Sequence, residues 1–269
     1  MRKNGYLHGY SRSEQTRLHA QARVFAPVLH RELLFPPGTR LLEVGCGAGA
    51  QTALLLRRNP KLHVTGVDLS ADQLAAARRH FRGHPAQKRL TLLQANATAL
   101  PFPRGTFDAA LSVWFLEHVP DPLPILKEIR RVLRPGGTLH VREVLNHSFM
   151  VFPDSPAITE YWWAYNRMQR EFAGNPDVGL ELPNLLKAAG FREIDLWRED
   201  ITYDLTTPAL RQLWLKYWRD LLLSGAPAML THRRITAALI AAIKREFAQL
   251  LKHPHSVFHF TPVFGSATA

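Results

Sequence analysis

The sequence predicts an α/β fold built on a doubly wound, mostly parallel sheet, and three observations carry that prediction. Short apolar runs alternate with amphipathic stretches through the first 145 residues, the first run breaks into a glycine-rich turn, and an acid closes the second run. Parallel strands are covered by helices on both faces, so they read as continuous apolar runs with helical segments between them. The 269 residues are 46% hydrophobic, enough for a buried core with a cap over it.

Ser11 and Glu14 have the spacing of a capping box, which opens a helix running to about residue 33 and sets Tyr10 at its mouth. After the Pro36-Pro37-Gly38 turn, strands are expected over 41–44, 64–68, 91–94, 109–113 and 138–143, with helices such as 70–82 and 122–133 between them. The rhythm then changes. Residues 146–175 are rich in aromatics, with a helix start at Ser155-Pro156, and read as a lid. A helix over 182–189 stopped by Gly190 and a strand over 191–197 resume the pattern. Thr207-Pro208 opens a second helical insertion reaching about residue 252, and 257–264 gives a last strand. The chain is read as one domain: an N-terminal helical lid (1–35), a core (36–145) and helical cap insertions (146–180 and 207–252).

Composition narrows the function. Lys and Arg number 34 against 22 acids, a formal charge of +12. The cations are spread in pairs such as Arg57-Arg58 and Arg130-Arg131 on expected helix surfaces, without interleaved aromatics, so a solvated surface is favoured over a nucleic-acid partner. The second insertion carries eight cations and two acids, which suits an anionic small substrate if it overhangs the pocket and a solvated face if it does not. Its apolar residues permit a homodimer face or a membrane-facing patch, with core packing preferred. The single cysteine excludes an intramolecular disulfide and a cysteine-based zinc cluster, so no metal site is expected; Cys46 reads as a small apolar filler. The opening residues lack the apolar stretch of a signal peptide, and the longest uncharged apolar run, 237–243, is too short for a bilayer. A cytoplasmic protein is expected.

The most informative stretch is LLEVGCGAGA at 41–50, a strand breaking into Gly45, Gly47 and Gly49 before a helix. Glycines allow a sharp turn and close approach to a ligand, and the helix start offers free N–H groups. Asp68, nineteen residues past Gly49, closes the second strand, where a carboxylate can accept from a ribose diol. The glycines alone also satisfy a relaxed dinucleotide fingerprint. Glu43 weighs against that reading, because it would repel a pyrophosphate yet could pair indirectly with a cationic amine.

Five segments in order, LLEVGCGAGAQT, VTGVDLS, LLQANATALPF, FDAALSVWFLEHVPDP and LKEIRRVLRPGGTLHVREV, resemble the successive motifs of the class I S-adenosylmethionine-dependent methyltransferases. The likeness covers about residues 40–144 and is to the group that includes menaquinone and ubiquinone methyltransferases and many small-molecule enzymes. It implies a Rossmann-like seven-stranded sheet with cap insertions after the fifth and sixth strands, and S-adenosylmethionine as cofactor. The cofactor site it implies comprises Glu43, Gly45, Gly47, Gln51, Asp68, Leu69, Gln73, Asn96, Ala97, Val113 and Trp114. Tyr10 would close the mouth, with Arg17 and Gln21 as further candidates. The family's third motif usually holds an aspartate that reads the adenine amine; Asn96 stands there, uncharged, with a carbonyl that can still accept.

Methyl transfer from an activated sulfonium is an in-line displacement that mainly requires a positioned nucleophile in a dry pocket. A protic acceptor would also need a base, and His118, just after the fourth strand, is the leading candidate; its other reading is a histidine packed at a helix start. Glu117 reads as a solvated helix residue, and Trp114 as either a sulfonium-facing ring or core. The aromatics of Tyr161-Trp162-Trp163-Ala164-Tyr165 read mainly as core, and His140 as structural. The expected function is methyl transfer to a small molecule, with the acceptor atom left open between oxygen, nitrogen, sulfur and carbon. The alternatives are methylation of RNA or protein, and a silent module that binds the cofactor without turnover.

Overall fold

The computed structural model describes residues 12–269, with side chains described from Arg17 onward. The first half runs α1 (Arg12–Leu29), β1 (Arg40–Val44), α2 (Ala50–Arg58), β2 (His63–Asp68), α3 (Ala71–Phe81), β3 (Leu90–Gln94), β4 (Phe107–Val113), α4 (Pro122–Val132) and β5 (Leu133–Glu143). These five strands pair in parallel in the order β3-β2-β1-β4-β5. The second half runs β6 (Met150–Phe152), α5 (Pro156–Glu171), α6 (Val178–Ala188), β7 (Arg192–Arg198), β8 (Ile201–Tyr203), α7 (Pro208–Thr231), α8 (Ala237–Lys252), β9 (Val257–Phe260) and β10 (Val263–Thr268). β10 lies antiparallel between β5 and β7 and completes a seven-stranded sheet.

Alternation along each strand divides its residues between two helical layers. Leu41 of β1 and Leu111 of β4 pack with Leu55 and Leu56 of α2, whereas Leu42, Val44 and Ala110 pack with Ile125 and Ile129 of α4 and Leu182 of α6. Each such Leu, Ile or Val side chain contributes roughly 1.5–3 kcal/mol on burial. Local signals set the helix starts: the Ser70 hydroxyl accepts from Gln73 N–H, the Asp121 carboxylate from Leu123 N–H, and Thr236 from Leu239 N–H. The capping box at Ser11 lies outside the described residues.

Over the carboxyl ends of the strands sits a cap with its own aromatic core. Tyr161 of α5, Trp214 and Trp218 of α7, Phe247 of α8 and Phe258 and Phe260 of β9 meet there with Phe25 of α1. Trp162 and Tyr165 are buried too, while Trp163 is 43% exposed. The apolar side chains of α7 go mostly into this core, and buried Arg211 is structural, donating to the carbonyls of Pro254 and Ser256.

Three features depart from the expected strand and helix pattern. The run 257–264 is two strands, because Pro262 lacks the N–H a continuous ladder needs; β9 joins β6 and β8 in a small antiparallel sheet and β10 joins the main one. The insertion at 207–252 is two helices, divided where Arg233 takes a positive φ of 55°. β5 begins at Leu133, earlier than expected. Among the described residues no helix is long and apolar enough to cross a membrane, and no three His, Cys, Asp or Glu side chains are grouped to hold a metal ion.

Candidate active site

β1 delivers the chain into a turn whose first two glycines have different tasks. Gly45, at φ +71°, faces the Phe115 ring, and a Cβ there would stand 2.4 Å from Phe115 Cδ2. Gly47, at φ +52°, has nothing within 4 Å of where a Cβ would point, which leaves its backbone open to a ligand. The Val67 carbonyl accepts from Gly45 N–H and Cys46 N–H at 2.9 and 3.1 Å, tying the turn to the end of β2.

Asp68 ends β2 beside that turn. Its Oδ2 accepts from Gly47 N–H at 2.9 Å and its Oδ1 from Ser70 N–H at 2.8 Å. An ionised carboxylate has about four acceptor positions, so it can brace both loops and still accept from a diol. Burial raises its pKa, against the pull of these N–H donors. Beneath the turn, Glu43 is 3% exposed, its Oε2 accepts from Thr52 Oγ1 at 2.6 Å, and burial pushes its pKa to about 7. Gln51 Oε1 lies 2.7 Å from Nε2 of buried His30, a ring kept neutral by burial down to about pH 4.

These groups open into one cavity of about 600 Å³ that runs from the glycine turn to the cap. Its walls bring together ten expected site residues: Glu43, Gly45, Gly47, Gln51, Asp68, Leu69, Gln73, Val113, Trp114 and His118. Arg17 and Gln21 of α1 line it as well, joined by a 3.1 Å hydrogen bond. Asn96 and Ala97 do not line it. The Asn96 Oδ1 accepts from Thr98 N–H at 3.0 Å, which holds the carbonyl in its own turn and leaves one acceptor position on it. Tyr10 lies outside the described residues.

The segment after β4 forms the far wall. Trp114 has a positive φ of 48°, its Nε1 is buried without a partner, and its ring meets Phe25 edge-on at 4.4 Å. Such a conformation in a bulky residue persists only where the surroundings enforce it. Glu117 corrects the expectation of a solvated residue: it is 7% exposed, Gln169 of α5 donates to its Oε2 at 2.7 Å, and burial pushes its pKa to about 7. His118 Nε2 is 3.7 Å from Glu117 Oε1. About 34% of its side chain is accessible and it lines the cavity, whose walls still desolvate the ring enough to push its pKa down to about 4. Behind them Glu143 accepts from Leu116 N–H at 2.9 Å, Phe115 N–H at 3.2 Å and Ser112 Oγ at 3.3 Å, and burial beside Glu117 pushes it to about 8.

Sequence reasoning missed Thr52, His30, Gln169 and Glu143. Only Glu143 left a signal, an acid closing an apolar strand; the others depend on contacts the sequence does not display. His147 sits outside the main cavity, paired with Asp177 at 2.5 Å, and His140 packs edge-on against Phe35.

Charge inside the cavity opposes that of the chain. Among the described lining residues Arg17 is the lone Lys or Arg, against Glu43, Asp68 and Glu117; α7 contributes Tyr217, Trp218 and Leu221, and none of its cations. The expectation that cap cations meet an anionic substrate finds no support in this lining. Two carboxylates at the glycine turn disfavour a pyrophosphate and suit a cationic cofactor with a ribose diol. The open backbone at Gly47, the partnerless buried Gln73 Oε1 and the Trp114 ring complete surroundings that fit S-adenosylmethionine.

Comparisons with known proteins agree. The family model described as "Methyltransferase domain" matches residues 42–141. The O-methyltransferase cnsE of Penicillium expansum is 33% identical over 198 residues, 71% of this chain and 67% of that protein. The demethylmenaquinone methyltransferase of Lactococcus lactis is 32% identical over 178 residues, 59% of this chain and 68% of that protein. The chain spans about half the length of several other curated relatives it matches. In fold, the Haemonchus contortus phosphoethanolamine N-methyltransferase 2 in complex with S-adenosyl-L-methionine superposes with a TM-score of 0.59 at 19% identity, covering 94% of this chain and 57% of that one. The chain belongs to the class I S-adenosylmethionine-dependent methyltransferases.

Proposed function

We propose that the protein transfers the methyl group of S-adenosylmethionine to a protic oxygen on a small, largely apolar and uncharged acceptor. The observation that carries this reading is the single cavity joining the acid-flanked glycine turn to an aromatic cap, where Trp162, Tyr165, Tyr217 and Trp218 form the walls. The names of two relatives, the O-methyltransferase cnsE and the ubiquinone biosynthesis O-methyltransferase of Xanthomonas campestris, support oxygen as the acceptor atom.

Bound S-adenosylmethionine supplies an activated methyl group. Asp68 would accept from its ribose hydroxyls, Glu43 would act through the turn on its amine, and Gly45 and Gly47 would offer backbone at close range. Gln51, Leu69, Gln73 and Val113 would complete the walls, with Trp114 facing the sulfonium and Tyr10 closing the mouth. Leu69, 68% exposed on the cavity rim, supplies the apolar surface for a purine. Asn96 and Ala97 drop out of the proposed contacts. α1 and the cap exclude water and hold the acceptor near attack distance. His118 and its neighbour Glu117, both in the cavity lining, would be available to receive the acceptor's proton. We place this activity in the cytoplasm.

The test is incubation with methyl-labelled cofactor and a metabolite extract, followed by mass analysis. Labelled methyl ethers of apolar compounds are expected. Label confined to RNA or protein, or cofactor binding without any labelled product, contradicts the reading.

A further inference from the structure

The segment after β4 fixes a carboxyl in the cavity wall, and among the described residues no strong cation is paired with it. Glu117 shares its turn with His118, and Glu143 of β5 adds a second acid behind it. α5 offers it the neutral amide of Gln169, and across the cavity stand Arg17, Glu43 and Asp68. Glu143 Oε1 is capped by two backbone N–H groups and its Oε2 is buried without a partner, but the residue lies behind the cavity wall and does not line it. Glu117 has no such cap and faces the cavity.

Its backbone is clamped instead. The Glu117 carbonyl accepts from Asn175 N–H at 2.8 Å and from Gln169 Nε2 at 3.3 Å, and a Cβ on Gly174 would come within 2.6 Å of it. The cap therefore fixes where the carboxyl stands relative to the acceptor space.

We propose that Glu117 is the catalytic residue that receives the acceptor's hydroxyl proton, with His118 as the positioning residue beside it. This rests on the reading of methyl transfer to a protic oxygen. The oxygen forms its bond to the methyl carbon, the S–C bond breaks with its electron pair left on sulfur, and the O–H proton passes to the Glu117 carboxylate. A cation and an anion enter and neutral groups leave, a change that a desolvated cavity favours. His118 is the poorer resting place for the proton, since the cavity walls desolvate its ring and push its pKa down to about 4 even though part of it stays accessible. The Glu117 carboxyl is held near the working pH, where a general base is most effective.

Glu117→Gln keeps an acceptor for Gln169 and removes the titrating group. With catechol and 1-naphthol as probes, we expect wild-type turnover to rise through a pKa near neutrality. The variant should lose that limb, and kcat should fall about 100-fold or more, with KM and S-adenosylhomocysteine affinity within about threefold. His118→Gln should keep the limb. Infrared difference spectra, wild type minus Glu117→Gln with S-adenosylhomocysteine bound, should show a protonated carboxyl band titrating near neutral pH without any acceptor present. The proposal is overturned if Glu117→Gln keeps its rate and its limb, if the limb disappears with His118 instead, or if Glu117 stays ionised down to the ordinary carboxylate range. A wild type that methylates neither probe, with the band present, refutes the phenolic acceptor and upholds the poised state of Glu117.

Discussion

Replacing Glu143 by glutamine should make the protein more resistant to alkaline pH. The wild-type carboxyl is fully buried, and its pKa is pushed from the usual 4.5 to about 8 by desolvation and by the neighbouring Glu117. A carboxyl with a folded value above its unfolded value takes up protons on folding, so its contribution to stability is complete below 4.5 and is lost as pH rises through 8. The useful window is pH 6.5 to 8.5. Below it, buried His30 and the partly desolvated His118 and His140, each lowered to about 4, impose the opposite slope as they resist protonation. At 1.36 kcal/mol per pKa unit, Glu143 alone should cost about 2 kcal/mol across that window, on the order of 4–8 °C in Tm. Glu43 and Glu117, both near 7, add about 1 kcal/mol each with the same sign. Glutamine can still accept from Leu116 and Phe115 N–H, so the variant should match the wild type near pH 6 and fall less steeply above it. Urea melts of both proteins through the window measure the difference. Parallel curves would refute the assignment of a buried proton to Glu143.

Three further predictions concern the cofactor side. Asp68→Ala removes the acceptor for Gly47 and Ser70 N–H as well as the proposed ribose contact, so S-adenosylhomocysteine affinity should fall by about 1–3 kcal/mol in calorimetry; an unchanged Kd removes Asp68 from the site. Gly45→Ala drives a methyl into the Phe115 ring and should abolish binding, while adding Phe115→Ala should recover part of it; no recovery would place the defect in the backbone conformation instead. Thr52→Val deletes the hydroxyl that holds the Glu43 pKa down, so Glu43 stays protonated to higher pH. Cofactor affinity at pH 7 should then fall and return above about pH 8, with a pH-independent loss contradicting the role given to Glu43.

The parallel half of the fold was legible because β1, β2 and β4 are buried on both faces and stand out as apolar runs between capped helices. The small cap sheet was not: β6 and β8 have three residues each, and their partner β9 lies far along the chain, as in the pairing of Met150 with His259. Local periodicity carries no record of such pairing. At the site, the glycine turn, Glu43 and Asp68 were legible because their chemistry depends on neighbours in sequence. Glu117 was misread because an isolated acid is ordinarily exposed, and its burial comes from Gln169, supplied by the cap. The likeness fixed Asn96's position in a motif and gave no sign of the hydrogen bond its carbonyl accepts from Thr98 N–H.

The central claim is that the acid-flanked glycine turn is built for S-adenosylmethionine and not for a dinucleotide. Isothermal calorimetry with S-adenosylhomocysteine and, separately, with a nicotinamide dinucleotide tests it most directly. The account predicts one-to-one binding of S-adenosylhomocysteine that weakens in Asp68→Ala, and no heat from the dinucleotide. Binding of the dinucleotide with silence from S-adenosylhomocysteine would contradict it.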